Sequence, residues 1–487
     1  MRGQNIKTNF IFQFSYQILI YVVPLIISPF LTRRLGGEAL GVYTYSYSIA
    51  YYFLLFANLG IKTHGQRIIA VSRDDNEMLR KKFWSLLYLH ILFSAISLIV
   101  YLACCLFVFK NNTNIFFLQG LLVLSAMFDI TWLFFGLENF KSVVFKNIFV
   151  KLFECVLIFA LIREADDLWI YTLIMAGSVF LGHFVMLPQA MKLVKPIRVT
   201  VTDMRIHIKP MAVLFVAVVA STLYTVFDKT LLGIFSSNIN SVAFYEYSDK
   251  IITIPKQIIA VLGTVMLPRA CKNFADDNIE GLKKNISISL IIVSIISMGA
   301  IFGLAAVSNK LSVVYYGHEF EECGTIIKYM TPLIYIVMIG DVFRSQYIIP
   351  SNNDRIYVSS LIISAVINIV ISIVFIPIYG VVGAIMGTTV AEMFGLLYQG
   401  YHSRKIVKIL EVVKDSLIFA ADGILMFVIV KFIDNNTGLT GFSLLLEIAV
   451  GVVTYAVFVL ISLKLFMADV WINLLSQVKK YHNDRED

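Results

Sequence analysis

Long apolar runs alternate with short polar loops along the whole chain. The runs lie near residues 10–31, 40–61, 84–109, 115–137, 142–162, 168–191, 210–235, 242–267, 286–308, 326–349, 357–378, 380–402, 412–433 and 441–466. Each is close to or above the ~20 mostly apolar residues that a helix needs to cross hydrocarbon. The pattern predicts an all-α integral membrane protein with about fourteen transmembrane helices, since a helix satisfies its own backbone in lipid. Pro377 and Gly380 mark a tight turn between the eleventh and twelfth runs. Pro24, Pro29, Pro255 and Pro332 fall inside other runs and predict kinks.

The loops carry a sidedness signal. Every second loop is cationic: Lys62, Arg67, Arg73, Arg80, Lys81 and Lys82; then Lys192, Lys195, Arg198, Arg205 and Lys209; then Arg269, Lys272, Lys283 and Lys284; then Arg404, Lys405, Lys408 and Lys414. The alternate loops are acidic or neutral, as at 163–167 and 236–241, with Arg33 and Arg34 the exceptions. The positive-inside rule then predicts a multi-pass protein with both termini cytoplasmic, Lys479, Lys480 and Arg485 included. Arg2 and Lys7 precede a run too long for a signal h-region and without a small-x-small site, so the first helix reads as uncleaved. The stretch Lys62–Lys82 reads either as an amphipathic surface helix resting on Ile68, Ile69 and Met78, or as a solvated connector.

Composition agrees. The 487 residues are 59% hydrophobic and 15% charged, against about 25% charged in soluble chains. The formal charge of +8 sits in short inter-helix loops, which excludes a nucleic-acid footprint. Cys104, Cys105, Cys155, Cys271 and Cys323 lack zinc spacing and read as packing. Neither a G-x-x-x-x-G-K-[ST] phosphate loop nor H-E-x-x-H occurs, and the outward loops are short, so catalysis is unsupported.

Ionisable residues inside the runs are the chemical signal, because a charge at the bilayer centre costs on the order of 3 kcal/mol or more unless it faces protein or water. They are Asp129; Lys146, Lys151 and Glu154; Asp228 and Lys229; Glu246, Asp249, Lys250 and Lys256; Lys328, Asp341 and Arg344; Glu392; and Glu447. Glu246/Lys250, Lys151/Glu154 and Asp341/Arg344 have the spacing of local pairs. Lys146, Lys229 and Lys256 have no opposite charge three or four residues away in their own runs, and fit a polar cavity in which a lysine meets a phosphate. Asp129 and Glu392 read as proton or sodium sites or, more plainly, as hydrogen-bonded core acids.

Tyr43-x-Tyr45-Ser46 and Tyr245-x-Tyr247-Ser248 open the second and eighth runs, a weak repeat. With the run count it fits two six-helix lobes and an extra pair: residues 1–200, 201–405, and 406–487 with the tail.

Four segments then carry a resemblance. Leu31–Glu38 (LTRRLGGE) with Leu40-Gly41-Val42-Tyr43 resembles the R-x-L-G-x-E-x-x-G-x-Y signature of bacterial polysaccharide-unit flippases, in the multidrug/oligosaccharidyl-lipid/polysaccharide (MOP) exporter superfamily. Asp129, Trp132, Gly136, Glu138 and Phe140 resemble that family's W-x-x-x-G-x-E-x-[FY] segment. Asp228-Lys229 with Gly233, Tyr245 and Lys250 resembles its second-lobe start, and Gly380, Gly383, Ala384 and Glu392 its twelfth span. The resemblance runs from about residue 5 to 405.

It implies two pseudo-symmetric lobes around a central cavity, as in MATE and MurJ proteins, and a flippase rather than an enzyme. The implied substrate is an undecaprenyl-pyrophosphate-linked oligosaccharide, moved from the inner to the outer leaflet by alternating access for O-antigen, capsule or exopolysaccharide synthesis. Membrane lipids and polysaccharide polymerase or chain-length machinery are the implied partners. No cofactor or metal is expected, and an H+ gradient, an Na+ gradient or the membrane potential would drive transport. The cationic candidates are Arg34, Lys146, Lys229, Lys250, Lys256 and Arg344; the ion-coupling candidates Asp129, Asp228 and Glu392; the sugar-contact candidates Tyr45, Tyr224 and Tyr245. The competing readings are a MATE-type drug or cation antiporter, which would favour cavity acids, and a membrane polymerase or ligase of lipid-linked glycans, which would favour a large outward loop.

Overall fold

The computed structural model describes residues 6–467, without the side chains of 6–19, 21, 217, 220, 221 and 223–225. Arg2, Lys479, Lys480 and Arg485 therefore lie outside the described residues, as do the side chains of Lys7 and Tyr224. All regular structure among the described residues is helical. The helices are α1 (Ile6–Asn58), α2 (Ile61–Ser72), α3 (Asn76–Phe107), α4 (Thr113–Ser125), α5 (Thr131–Gly136), α6 (Phe140–Leu161), α7 (Leu168–Phe184), α8 (Leu187–Leu193) and α9 (Val201–Phe235). They continue with α10 (Asn240–Ala275), α11 (Ile279–Leu311), α12 (Glu322–Met330), α13 (Pro332–Phe343), α14 (Asp354–Tyr379), α15 (Val381–Ser403), α16 (Ile409–Asn436) and α17 (Gly441–Phe466).

Among the described residues nine helices are long and apolar enough to cross a membrane, or ten when the pair around Pro332, bent by 46°, counts as one span. The remaining expected runs lie on α1, α6 and α9. Any span-length stretch of α6 contains Lys146, Lys151 and Glu154, which lowers its hydropathy. Helix α1 holds two expected runs in one rod, broken at Gly36, whose φ of 75° suits glycine. Helices α14 and α15 are divided by Gly380 alone, at φ 55°, while Pro377 stays inside α14. The fourth expected span is discontinuous: α4 ends at Ser125, a 3-10 turn follows over Ala126–Phe128, and α5 restarts at Thr131.

The chain forms two compact units, one up to Glu246 and one from Tyr247, with the division inside α10. In the first unit, a core of Ile61, Ile69, Phe83, Trp132, Leu133 and Met211 is almost fully buried. It settles the Lys62–Lys82 stretch. Residues 61–72 are a helix whose Ile69 and Ile68 pack on this protein core, whereas Met78 begins α3 and is 41% exposed. The apolar side of α2 thus faces Trp132 and Gly136: a Cβ on Gly65 would lie 2.7 Å from the Trp132 ring, and one on Gly136 2.6 Å from Ile69. Beside this core, Asp75 caps α3 by accepting from the Glu77 and Met78 amides, both at 3.0 Å. Thr200 and Asp203 form a capping box on α9. Arg80 and Trp84 of α3 donate to the Lys195 carbonyl at 2.9 and 3.1 Å, tying down the connector before α9.

Helix α2 is also fastened to α9 by a histidine pair outside the expected spans. His64 Nε2 and His207 Nδ1 are 2.9 Å apart, and both rings are buried. One ring donates and the other accepts, so the contact needs a neutral partner. Burial lowers both rings below the usual histidine value, with nearby Arg67 and Lys82 adding to it for His64, and His207 falls to about 4.

Two outcomes follow for the purified protein. Gly136→Ala should destabilise it by about 1–3 kcal/mol through overpacking. Gly177→Ala, with nothing within 4 Å of the added carbon, should leave it unchanged or slightly more stable; thermal unfolding in detergent compares the two. Second, both histidines have folded-state values below their unfolded ones. Their contribution is therefore complete above about pH 6.5 and lost as pH falls towards about 4. The unfolding temperature should drop through that window, and less steeply in His207→Phe; an equal slope would show that the pair is not responsible.

Candidate functional site

The break at Gly36 re-aims the second half of α1 and sets its tyrosines in a ladder. Tyr43, Tyr47 and Tyr51 are spaced by four, so they share one helix face. Their rings follow at 6.1 and 5.8 Å, and Tyr171 of α7 joins Tyr43 at 4.5 Å. Helix α9 brings Asp228 and Lys229 to this region, and the first turns of α10 bring Tyr245 and Glu246. The Lys229 ammonium pairs with the Glu246 carboxylate, with side chains 17% and 21% exposed. Both are charged neighbours of Tyr47. Buried Asp228 accepts the Tyr245 hydroxyl at 3.0 Å. Tyr52 shares a hydrogen bond with Thr230 at 2.9 Å, and the Thr230 hydroxyl donates to Ser48 at 3.0 Å. Glu154 accepts from Lys151 at 2.5 Å and from Ser178, and is a charged neighbour of Tyr171. The first unit therefore holds two ammonium–carboxylate pairs, Lys229–Glu246 and Lys151–Glu154, near a row of aromatic hydroxyls. Flat apolar rings with polar tips suit ligands that are apolar on one face and hydroxylated at the edge.

The named tyrosines are placed differently from the expectation. Tyr45 points the other way from the ladder, edge-on to Phe116 at 5.9 Å and flat over Gly233, where a Cβ would come within 2.0 Å of its ring. Tyr245 is 5% exposed and commits its hydroxyl to Asp228. From the sequence Tyr43 stood out only as a motif residue, and Tyr47, Tyr51 and Tyr171 did not stand out; the four-residue spacing of Tyr43, Tyr47 and Tyr51 was the available signal.

Asp129 occupies the break between the 3-10 turn and α5. Its Oδ1 accepts from the Thr131 amide and hydroxyl at 3.1 and 2.6 Å, and its Oδ2 lies 2.9 Å from Lys62 Nζ. Thr131 thus serves as both cap and counter-dipole for a carboxylate that is 1% exposed. His183 stands 3.9 Å from the same carboxylate and donates through Nδ1 to the Ser125 carbonyl at 3.1 Å. His90 of α3, also 1% exposed, has Asp129, Lys62 and His183 as charged neighbours, and neither ring nitrogen has a hydrogen-bond partner among the described residues. Lys146 extends from α6 with Asp129 and Lys62 as its charged neighbours. Arg34 is exposed, donating to the Arg163 carbonyl at 3.3 Å.

In the second unit, Lys250 stands 3.9 Å over the Tyr247 ring. Lys256 faces Asp249 at 3.7 Å, seven residues back along α10 and two helical turns away, beyond the i±3 and i±4 spacings. Arg344 pairs with Asp341 and lies 5.6 Å over Tyr357. Glu392 is half-buried on α15, the helix whose Thr388 hydroxyl accepts from Asn368 of α14 at 3.3 Å. A further network joins three helices. Lys310 of α11 contacts Asp434 at 2.9 Å, Thr437 at 2.9 Å and Glu447, and Lys431 adds a second cation on Asp434 at 2.6 Å. Beside it, a cavity of about 580 Å³ between α11, α16 and α17 is apolar except at Glu447 and Tyr455, with Gly303, Met426, Val430, Gly451 and Val452 in its wall.

With this geometry in hand, the chain can be set beside known proteins. A Shigella dysenteriae protein whose name assigns it to O-antigen transport is 21% identical over 399 residues, covering 80% of this chain and 98% of its own. A solved inward-closed structure of the lipid II flippase MurJ superposes with a TM-score of 0.74 at 17% identity, covering 94% of this chain and 99% of that one. An inward-facing MATE multidrug transporter of the MOP superfamily gives 0.61 at 12% identity, covering 80% and 95%. These likenesses give the fold: a multi-pass helical membrane architecture like that of MurJ and the MATE transporter. The family model described as "Polysaccharide biosynthesis protein" matches residues 6–274, more than half the chain, and the chain belongs to that family.

Proposed function

We propose that this protein is a lipid-linked oligosaccharide flippase, a transporter rather than an enzyme. Membership of a polysaccharide-biosynthesis family supports the substrate class, as do relatives named for O-antigen transport and lipid II flipping. The carrying observation is the Lys229–Glu246 pair set beside the tyrosine ladder. A lysine already neutralised by a carboxylate can exchange that partner for a diphosphate at little cost in bare charge, because one anion replaces another. The tyrosines offer ring faces and hydroxyls to the sugars. In the second unit Lys250, Lys256 and Arg344 are the corresponding cations, each beside an aromatic ring or a carboxylate it could exchange. The apolar cavity between α11, α16 and α17 fits part of a polyprenyl chain, since each buried methylene contributes roughly 0.8 kcal/mol.

The undecaprenyl-pyrophosphate anchor, the inner membrane and cytoplasmic termini belong to this proposal; the alternation of cationic loops supports the sidedness. Coupling to an H+ or Na+ gradient, or to the membrane potential, would act through the acids Asp129, Asp228 and Glu392. The antiporter reading is weaker for a stated reason. The family match over residues 6–274 supports a polysaccharide precursor, whereas the likeness to the MATE transporter is one of fold, at 12% identity.

In a strain whose surface glycan depends on this protein, Lys229→Ala should reduce export at least about tenfold at matched protein level, the factor expected for losing about 1.4 kcal/mol of phosphate contact, while Lys229→Arg keeps most of it. Unchanged export in Lys229→Ala would remove the phosphate role. Gly303→Leu tests the polyprenyl site. Its new side chain would enter the 580 Å³ cavity, since only the Met426 methyl lies near the added carbon, at 3.6 Å. Uptake of a fluorescent polyprenyl diphosphate by the reconstituted protein should fall while folding is kept; equal uptake would place the chain elsewhere.

A further inference from the structure

A second concave site lies at the cation-rich end of the first unit, apart from the tyrosine ladder. It is an open groove of about 510 Å³ formed by the start of α6 and by α8, with Lys141, Ser142, Phe145, Lys146, Phe149 and Gln189 in its wall. The two helices are joined across it, as Gln189 Nε2 donates to the Ser142 hydroxyl at 3.2 Å. The lining holds two ammonium groups and no carboxylate.

Lys146 is half-buried and makes no hydrogen bond or ion pair with a described residue. Its nearest opposite charge, Asp129, is already met by Lys62 and Thr131. Three donors at an apolar wall are thus left for something outside the protein. The groove opens sideways. Phe145 and Phe149 are exposed, and Leu152, Phe153 and Val156 carry the same exposed apolar face along α6. On a helix of a membrane protein such a face lies against lipid chains. The groove therefore has cations where a headgroup would lie and phenyl rings where a chain would begin. It sits beside Lys192 and the cationic connector after α8, at the end that the positive-inside rule assigns to the anionic cytoplasmic leaflet.

We infer that this groove binds one anionic glycerophospholipid of the surrounding leaflet, its phosphate held between Lys141 and Lys146 and its first chain segment against Phe145 and Phe149. A phospholipid fits better than the glycan carrier because, beyond one Ser–Gln pair, the wall has no hydroxyl or exposed amide row for an oligosaccharide. The site does not depend on the transport reading. It would make the α6–α8 corner, and through Lys146 the Asp129 region, sensitive to lipid composition.

Native mass spectrometry of the full-length protein in neutral detergent tests this by titration with phosphatidylglycerol and, separately, phosphatidylcholine. Phosphatidylglycerol should bind preferentially. The double variant Lys141→Gln/Lys146→Gln should lose at least about tenfold in that affinity, as two near-surface lysines on one phosphate imply, with phosphatidylcholine retention unchanged. Lys141→Arg/Lys146→Arg should keep the preference, which separates lost charge from lost fold. Equal phosphatidylglycerol binding in the Gln variant, or no preference in the native protein, overturns the proposal. Two further arms distinguish sources of phosphate. Inorganic diphosphate held by the same lysines without any lipid preference overturns the choice of a lipid. Undecaprenyl diphosphate preferred there over phosphatidylglycerol overturns the choice of this one.

Discussion

A charge in hydrocarbon must meet an opposite charge, a dipole or water, and much of this structure follows from that constraint. Asp129 is held by Lys62 and by two donors of Thr131; Lys229 is held by Glu246; Lys310 is held by Asp434, Thr437 and Glu447. In each case the partner comes from a different helix or a neighbouring turn. The pairs therefore select which helices touch, which apolar surfaces alone cannot do in a solvent as apolar as the helices themselves. Removing one member would strand the other in low dielectric, which costs more than the pair contributes.

The same constraint explains where the helices are interrupted. Asp129 sits where α4 has ended and α5 has not begun, so its carboxylate meets backbone and side-chain donors of Thr131 that a continuous helix would have used internally. Pro332 bends the α12–α13 pair inside an expected run, whereas Gly36 breaks α1 in the loop expected between the first two runs. Interruptions at membrane depth are tolerated where protein or water satisfies the freed groups, and such places suit a substrate that is itself polar at one end.

Side-chain direction separated the legible from the illegible parts of the site. The Y-x-Y-S repeat drew attention to Tyr45 and Tyr245, but helical geometry turns each residue by ~100°, so Tyr45 lies nearly opposite Tyr43 and Tyr47. It became a packing residue over Gly233, and the ladder formed on the other face. Lys151/Glu154 and Asp341/Arg344 paired at the spacing a helix dictates. Lys229/Glu246 did not lie within reach of that rule, since its members sit on α9 and α10.

The sequence by itself determined the solvent, the helical class and the family, because each is written in local properties: apolar run length, loop charge and short motifs. It also named most of the embedded charges, since a lysine or aspartate in an apolar run is conspicuous wherever it ends up. Which charges meet, which face each tyrosine takes and where the grooves open were decided by tertiary structure. Those outcomes rest on contacts between helices far apart in the chain, as with Lys62 and Asp129 or Lys310 and Glu447, and one chain's spacing carries no record of them.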